Sequence, residues 1–305
     1  MRVPKTGLLG GLLATGMSLG GVWAQSARPT PLDAAYRQRF EKWRAELVAD
    51  RRENWLTLVG LFWLKSGENS FGTDPENAVV FPAGSTMARS GSLRLESREV
   101  RATFLPGSNA MIDGKTVTKA QLAPDVSGHP TVVKLGSLRF YVIQRGERIG
   151  VRVRDLNSDA AKQYRGAIFY PLDPAFRIEA TWVPGDGSRT VDVPNVLGDV
   201  THTKVVGEAR FRVNGQEIHL SALGGDPAER LSFIFSDATR KTETYPAGRF
   251  LESGPVQDGK VTLDFNYAYN PPCSVTPFAT CPLPPKEDQL PVAIPAGEKY
   301  TERLH

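Results

Sequence analysis

The chain has 305 residues, 40% of them hydrophobic and 23% charged, near the globular average, which suits one large domain or two smaller ones. Its 29 Gly and 23 Pro favour many short strands joined by turns over a helical bundle. The 37 Lys and Arg exceed the 33 Asp and Glu by four; without Arg2 and Lys5 the balance is 35 against 33, and no basic run reaches the length needed for nucleic acid or a polybasic membrane contact.

The chain opens on Arg2 and Lys5, followed by the uncharged stretch Thr6–Val22, rich in Leu, Gly and Ala. Val22-Trp23-Ala24 then places small residues at the −3 and −1 positions before Gln25. This is the pattern of a cleavable secretory signal, and the stretch is short and glycine-rich for a bilayer span of about 20 apolar residues. Cleavage is expected between Ala24 and Gln25, giving a periplasmic or secreted protein with no membrane span afterwards.

Asp33 is placed to cap a helix running to about Asn54. Tyr36, Phe40, Trp43 and Leu47 fall on one helical face, with Arg37, Lys42, Arg44 and Glu46 mostly away from it. Trp55–Leu64 is an apolar run that reads as a buried strand or a short helix. Ala78–Phe81 reads as a short strand, and Val100, Ala102 and Phe104 alternate with polar neighbours. Asp113-Gly114 marks a hairpin between Met111-Ile112 and Thr116-Val117. The turn-rich stretch 123–130, with Pro124, Ser127, Gly128 and Pro130, is expected to separate two sub-structures.

Beyond it, Phe140 and Val142 are joined through Arg145-Gly146-Glu147-Arg148 to Ile149, Val151 and Val153, with Arg152 and Arg154 on the other face. Ala209, Phe211 and Val213 lead through Asn214-Gly215 to Ile218 and Leu220, a strong hairpin signal because Asn-Gly accepts the positive φ of a type I′ turn. Leu231–Phe235 is a continuous apolar strand. Val261, Leu263 and Phe265 face one side, so Thr262, Asp264 and Asn266 face the other. From Tyr269 the prolines of Asn270-Pro271-Pro272 and Cys281-Pro282-Leu283-Pro284-Pro285 exclude a central strand or helix. The expected fold is all-β with one N-terminal amphipathic helix: a smaller β-sandwich, then a larger antiparallel sheet or barrel. The chain thus divides into a signal peptide (1–24), a leader and helix (25–54), a sandwich-like region (55–130) and a second β region with a Pro-rich loop (131–305).

Cys273 and Cys281 are the only two cysteines. In an oxidising compartment they are expected to form a disulfide, and two thiolates with no nearby His lack the ligands for zinc, so no metal is expected. There is no G-x-S-x-G, H-E-x-x-H, P-loop or C-x-x-C motif, and no cofactor is indicated. With only His129, His202, His219 and His305, a catalytic triad has few bases to draw on. The densest polar cluster is late: Asp264, Asn266, Tyr269 and Asn270, with Asp237, Thr239, Tyr245 and Arg249 shortly before. Carboxylates, amides, aromatics and an Arg are the inventory of a small-ligand or sugar site. Three readings stand open: Asp264 and Asn266 pin the Pro-rich loop through backbone hydrogen bonds, the cluster binds a small molecule or glycan, or Asp237 and Asp264 act as an acid/base pair. The leading function is an extracytoplasmic binding or scaffolding module of unknown ligand; the alternative is a hydrolase acting on carbohydrate or cell-envelope material.

The stretches WLTLVGLFWLKSGENSFGTDPEN, RGERIGVRVRD, AIFYPLDPAFRIEATW, TETYPAGRFL, DFNYAYNPPCSVTPFATCPLPP and IPAGEKY resemble an uncharacterised family of mostly bacterial exported proteins, domain of unknown function 1684. The resemblance spans about Trp55 to Tyr300 and implies export but no activity and no catalytic residue. One departure is Asp237-Ala238-Thr239-Arg240-Lys241, where such sequences often read Asp-x-Thr-Ser-Gly. A second likeness runs through Gly67–Gly72, Ala78–Pro82, Ser108-Asn109 and Ile112–Val117, in the order of a forkhead-associated β-sandwich. Glu68 stands where that fold carries a phosphate-binding Arg, so the resemblance implies the fold and not phosphopeptide binding.

Overall fold

The computed structural model describes residues 31–300. The expected signal peptide and its cleavage site lie outside the described residues, as does His305. The helix Ala34–Asp50 forms where the spacing places it, with the Asp33 carboxylate accepting the Tyr36 amide at 2.7 Å as its N-cap. Tyr36, Phe40 and Leu47 are its buried residues. One wider turn, Arg51–Trp55, ends it, and the following apolar run resolves as the strand Leu58–Trp63.

The fold is mostly β. A six-stranded and a five-stranded sheet enclose the first core, which includes Phe71, Phe81, Phe104, Phe140 and Val153. The six-stranded sheet takes in Leu58–Trp63 and Met111–Ile112 together with Val133–Leu135, Leu138–Arg145 and Arg148–Asp155. Strands on both sides of 123–130 share one sheet, so this stretch is a turn inside the sandwich. The turn chemistry of that stretch is local, whereas sheet membership is set by which partner the Leu138–Arg145 and Arg148–Asp155 hairpin finds, here Leu58–Trp63.

The second unit is a half-barrel with strand order Arg249–Glu252, Arg230–Phe235, Gln216–Asp226, Gly207–Val213, Arg177–Pro184, Lys260–Asp264. Its Asn214-Gly215 turn has φ of 51° and 80°, as a type I′ hairpin requires. Phe250 and Tyr269 exchange both backbone hydrogen bonds, at 2.8 and 3.0 Å, and tie the two edges of the sheet together. Phe211, Leu220, Phe233, Leu263 and Phe265 fill its interior with Leu290, Ile294 and Ala296 of the C-terminal strap.

Two buried ion pairs weld this unit. Arg249 and Asp237, each 1% exposed at the side chain, meet at 2.6 Å. Arg249 also donates to the Ile294 carbonyl at 3.0 Å and to that of Ala296. Arg51 and Glu298 form a two-pronged pair with both contacts at 2.6 Å, and Arg51 donates further to the Asn270 carbonyl and the Tyr164 hydroxyl. A charge costs little buried only when so fully partnered, and removing one partner leaves the other stranded. The Pro-rich loop bridges the two units: Arg145 and Arg152 of the sandwich both donate to the Thr280 hydroxyl, at 3.3 and 3.1 Å.

A cleft between the helix and the barrel wall

Alternation along Lys260–Asp264 puts Val261 and Leu263 in the core and turns Thr262 and Asp264 outward. The neighbouring strand sets Arg177 opposite Asp264 and Glu179 opposite Thr262. After Asp264 the chain makes a tight turn, Phe265–Tyr267, capped by the Asp264 carboxylate, which accepts the Asn266 amide at 3.3 Å. Ala268 is buried, so Tyr267 and Tyr269 on either side of it point outward together.

The N-terminal helix lies across this outer wall. The Tyr36 hydroxyl donates to the Asp264 carboxylate, 2.9 and 3.1 Å from its two oxygens. Trp43 and Phe40 stack edge-on against Tyr267 with ring centroids 4.8 and 5.3 Å apart. Edge-to-face pairs of this kind contribute about 0.5–1.5 kcal/mol each beyond their burial, so the helix is anchored by an aromatic cluster and a hydrogen-bonded carboxylate.

Beside that anchor a cleft of about 520 Å³ remains open, within the usual range of roughly 300–1,000 Å³ for small-ligand sites. Tyr36, Arg39 and Trp43 form its helical wall; Arg177, Thr262 and Asp264 form the barrel wall. Arg230, Glu252 and Gln257 complete the lining with Tyr267 and Tyr269. Three guanidinium groups thus face two carboxylates. Arg177 approaches Asp264 through Nε at 3.6 Å, and Arg230 approaches Glu252 through Nε at 3.2 Å. Arg39 has no ion pair among the described residues and sits 6.0 Å from the Tyr36 ring centre. Burial raises the Asp264 carboxyl above its usual range, against the opposing hydrogen bonds of Asn266 and Tyr36 and the charge of Arg177. Burial likewise pushes the Tyr269 phenol up to about 12.

The residues singled out in the sequence scatter over three places. Asp264 and Tyr269 line the cleft. Asn266 does not share the outward face of Asp264, because the strand ends at Asp264. It is 1% exposed and brackets the Asp173 backbone, donating to its carbonyl at 2.9 Å and accepting its amide at 3.0 Å. Asn270 is also buried; its amide donates to Glu298 at 2.7 Å and its side chain to the Lys299 carbonyl at 3.0 Å. Asp237 and Arg249 belong to the internal ion pair, so Arg249 does not serve as the charge partner of Asp264; Arg177 does. Asp237 is further committed to the Thr239 amide and hydroxyl and the Ile294 amide. It does not line the cleft, as an acid/base partner for Asp264 would have to. Tyr245 donates to the Cys273 carbonyl at 2.9 Å, away from the cleft.

The expected disulfide is not formed in the structure: Cys273 and Cys281 are free thiols. They are hydrogen-bonded neighbours, with the Cys273 amide donating to the Cys281 sulfur at 3.1 Å. Among the described residues no group of His, Cys, Asp and Glu is arranged to hold a metal, and no helix is long and apolar enough to cross a membrane.

Sequence reasoning missed Arg39, Arg177, Arg230 and Glu252. The signal for Arg39 was present, since it stands three residues from Tyr36 and four from Trp43 and so shares their side of the helix. The other three need the strand pairing, which is not local.

Comparison with solved structures places the chain beside an uncharacterized protein of Haloarcula marismortui determined by NMR. The two are 32% identical over 47% of this chain and 80% of that one, with a TM-score of 0.39. An FHA domain studied for phosphothreonine-dependent interactions is 18% identical over 32% of this chain and 96% of its own, with a TM-score of 0.23. The FhaA FHA domain, solved with the intracellular domain of Rv3910, is 17% identical over 31% and 97%, with a TM-score of 0.23. No curated protein matches. Residues 162–299 match the model of a protein family of unknown function, a segment that carries the barrel wall of the cleft but not its helical wall. The chain belongs to that family, DUF1684.

Proposed function

We propose that the protein is an exported binding module that holds a small molecule or glycan in the cleft between its N-terminal helix and the half-barrel. The observation that carries this reading is the cleft itself, where aromatic faces, guanidinium groups and carboxylates converge on one open volume. Its walls are stiff. Asp264 is fixed by Tyr36 and Asn266, and the segment behind Tyr269 is held by the buried Arg51–Glu298 pair. A preorganised site spends little entropy on closing around its ligand. Export rests on the leader pattern, and in an oxidising compartment the adjacent thiols of Cys273 and Cys281 are proposed to oxidise to a disulfide.

The test is a thermal-shift screen of glycans and small metabolites on the mature chain, repeated on Thr262→Trp, which fills the cleft from an outward, half-buried position. Ligands that raise the melting temperature of the wild type and not of Thr262→Trp support the reading. Ligands that stabilise both proteins equally bind elsewhere and overturn it, as does a screen with no ligand at all. Intact mass of protein purified from the native host checks the rest: cleavage after Ala24 and loss of two hydrogens that reductant restores. An intact Met1 or two free thiols contradicts it.

A further inference from the structure

Resting on the reading of the cleft as a binding site, the geometry points to an acidic saccharide as its ligand, a sugar ring that carries one carboxylate and several hydroxyls. The argument starts from what the three arginines leave unspent. Arg177 and Arg230 meet their carboxylates through Nε, so their terminal Nη groups remain available. Arg39 has no ion pair among the described residues, and its contact is with the Tyr36 ring. A guanidinium presents parallel N–H groups that match a carboxylate in two-pronged fashion. Three cations against two carboxylates leave one positive charge to balance, which is the charge of one uronate unit rather than of a multiply charged anion.

The acceptors select among anions. Asp264 and Glu252 line the same cleft, with the Gln257 amide nearby. Inorganic phosphate brings its charge close to both carboxylates and offers them few donors. An aromatic acid offers them none, and leaving acceptors unpaired in a ligand-filled cleft is costly. Sugar hydroxyls supply those donors. The apolar face of a sugar ring in turn covers an aromatic surface, which the cleft provides in Trp43, Tyr267 and Tyr269.

Calorimetry with galacturonate, its methyl ester and inorganic phosphate tests this. The ester keeps every ring and hydroxyl of the acid and removes the charge. The acid is expected to bind at least tenfold tighter than the ester at low salt, with the margin shrinking in high salt as screening grows. Arg39→Gln, at an exposed residue without an ion pair, is expected to remove most of that margin. Thr262→Trp is expected to abolish both, and Trp43→Ala to weaken both. Equal affinity for acid and ester, both lost in Thr262→Trp, overturns the acidic-sugar assignment while the binding reading stands. Phosphate binding tighter than the acid, or an acid margin untouched by Arg39→Gln, overturns the assignment too. If none of the three probes binds, the assignment fails, and the thermal-shift screen alone then decides the binding reading.

Discussion

Replacing Asp288 by Asn should remove a pH dependence built into the C-terminal strap. Asp288 is 1% exposed and ends the short turn Lys286–Asp288. One carboxyl oxygen accepts the Ser221 amide at 2.9 Å, and the other is buried without a partner. Burial pushes this carboxyl from 3.8 up to about 7, with the neighbouring Glu287 charge adding to the rise and the Ser221 hydrogen bonds and Arg189 opposing it. The native state therefore holds a proton that the unfolded chain releases near pH 4. Because the folded value lies above the unfolded one, the stabilisation is complete below about pH 4 and is lost as pH rises through about 7. About three pH units separate the two values, and at roughly 1.4 kcal/mol per unit the full effect is on the order of 4 kcal/mol, an upper bound. Asn keeps an oxygen for the Ser221 amide and cannot ionise. Thermal melts of both proteins between pH 4.5 and 8.5 should show the wild type losing stability relative to Asp288→Asn across that span, by up to roughly 10 °C in Tm. A difference that stays constant with pH, or that grows in favour of the wild type at high pH, refutes the reasoning.

Two further perturbations follow from the contacts. Asp237→Asn weakens a fully buried pair and leaves the Arg249 charge under-compensated, so it should destabilise by about 3–5 kcal/mol in urea melts; a loss under about 1 kcal/mol contradicts the clamp. Tyr36→Phe removes the hydroxyl that donates to Asp264. Since that bond lowers the Asp264 value against the larger effect of burial, carboxyl NMR titration should show Asp264 titrating higher in the variant, and a lower value would reverse the assigned sign.

Short-range pattern was a good guide wherever one face of an element meets the core. The helix face of Tyr36, Phe40 and Leu47, the Asn214-Gly215 hairpin and the inward Val261 and Leu263 all follow from spacing alone. The outward turn of Asp264 follows from the same alternation, which is why it was legible as a site residue. Asn266 was misplaced because alternation holds only while the strand lasts, and the chain turns immediately after Asp264. The Arg177–Asp264 and Arg51–Glu298 contacts join residues 87 and 247 positions apart, 264 − 177 and 298 − 51. No local pattern marks such pairs, and a buried arginine reads in the sequence like any surface one. Sheet membership failed for the same reason. The turn near residue 125 looks like a boundary until Arg148–Asp155 is seen to pair with Leu58–Trp63.

The claim that the cleft is the binding site is tested most directly by the indole N–H signal of Trp43 in an NMR titration with a ligand that raises the melting temperature. Trp43 stands in the helical wall of the cleft, whereas Trp182 is buried in the barrel core. The account predicts that the Trp43 signal moves saturably with ligand while that of Trp182 stays in place. A saturating titration that leaves Trp43 unmoved and shifts signals of the sandwich instead would contradict it.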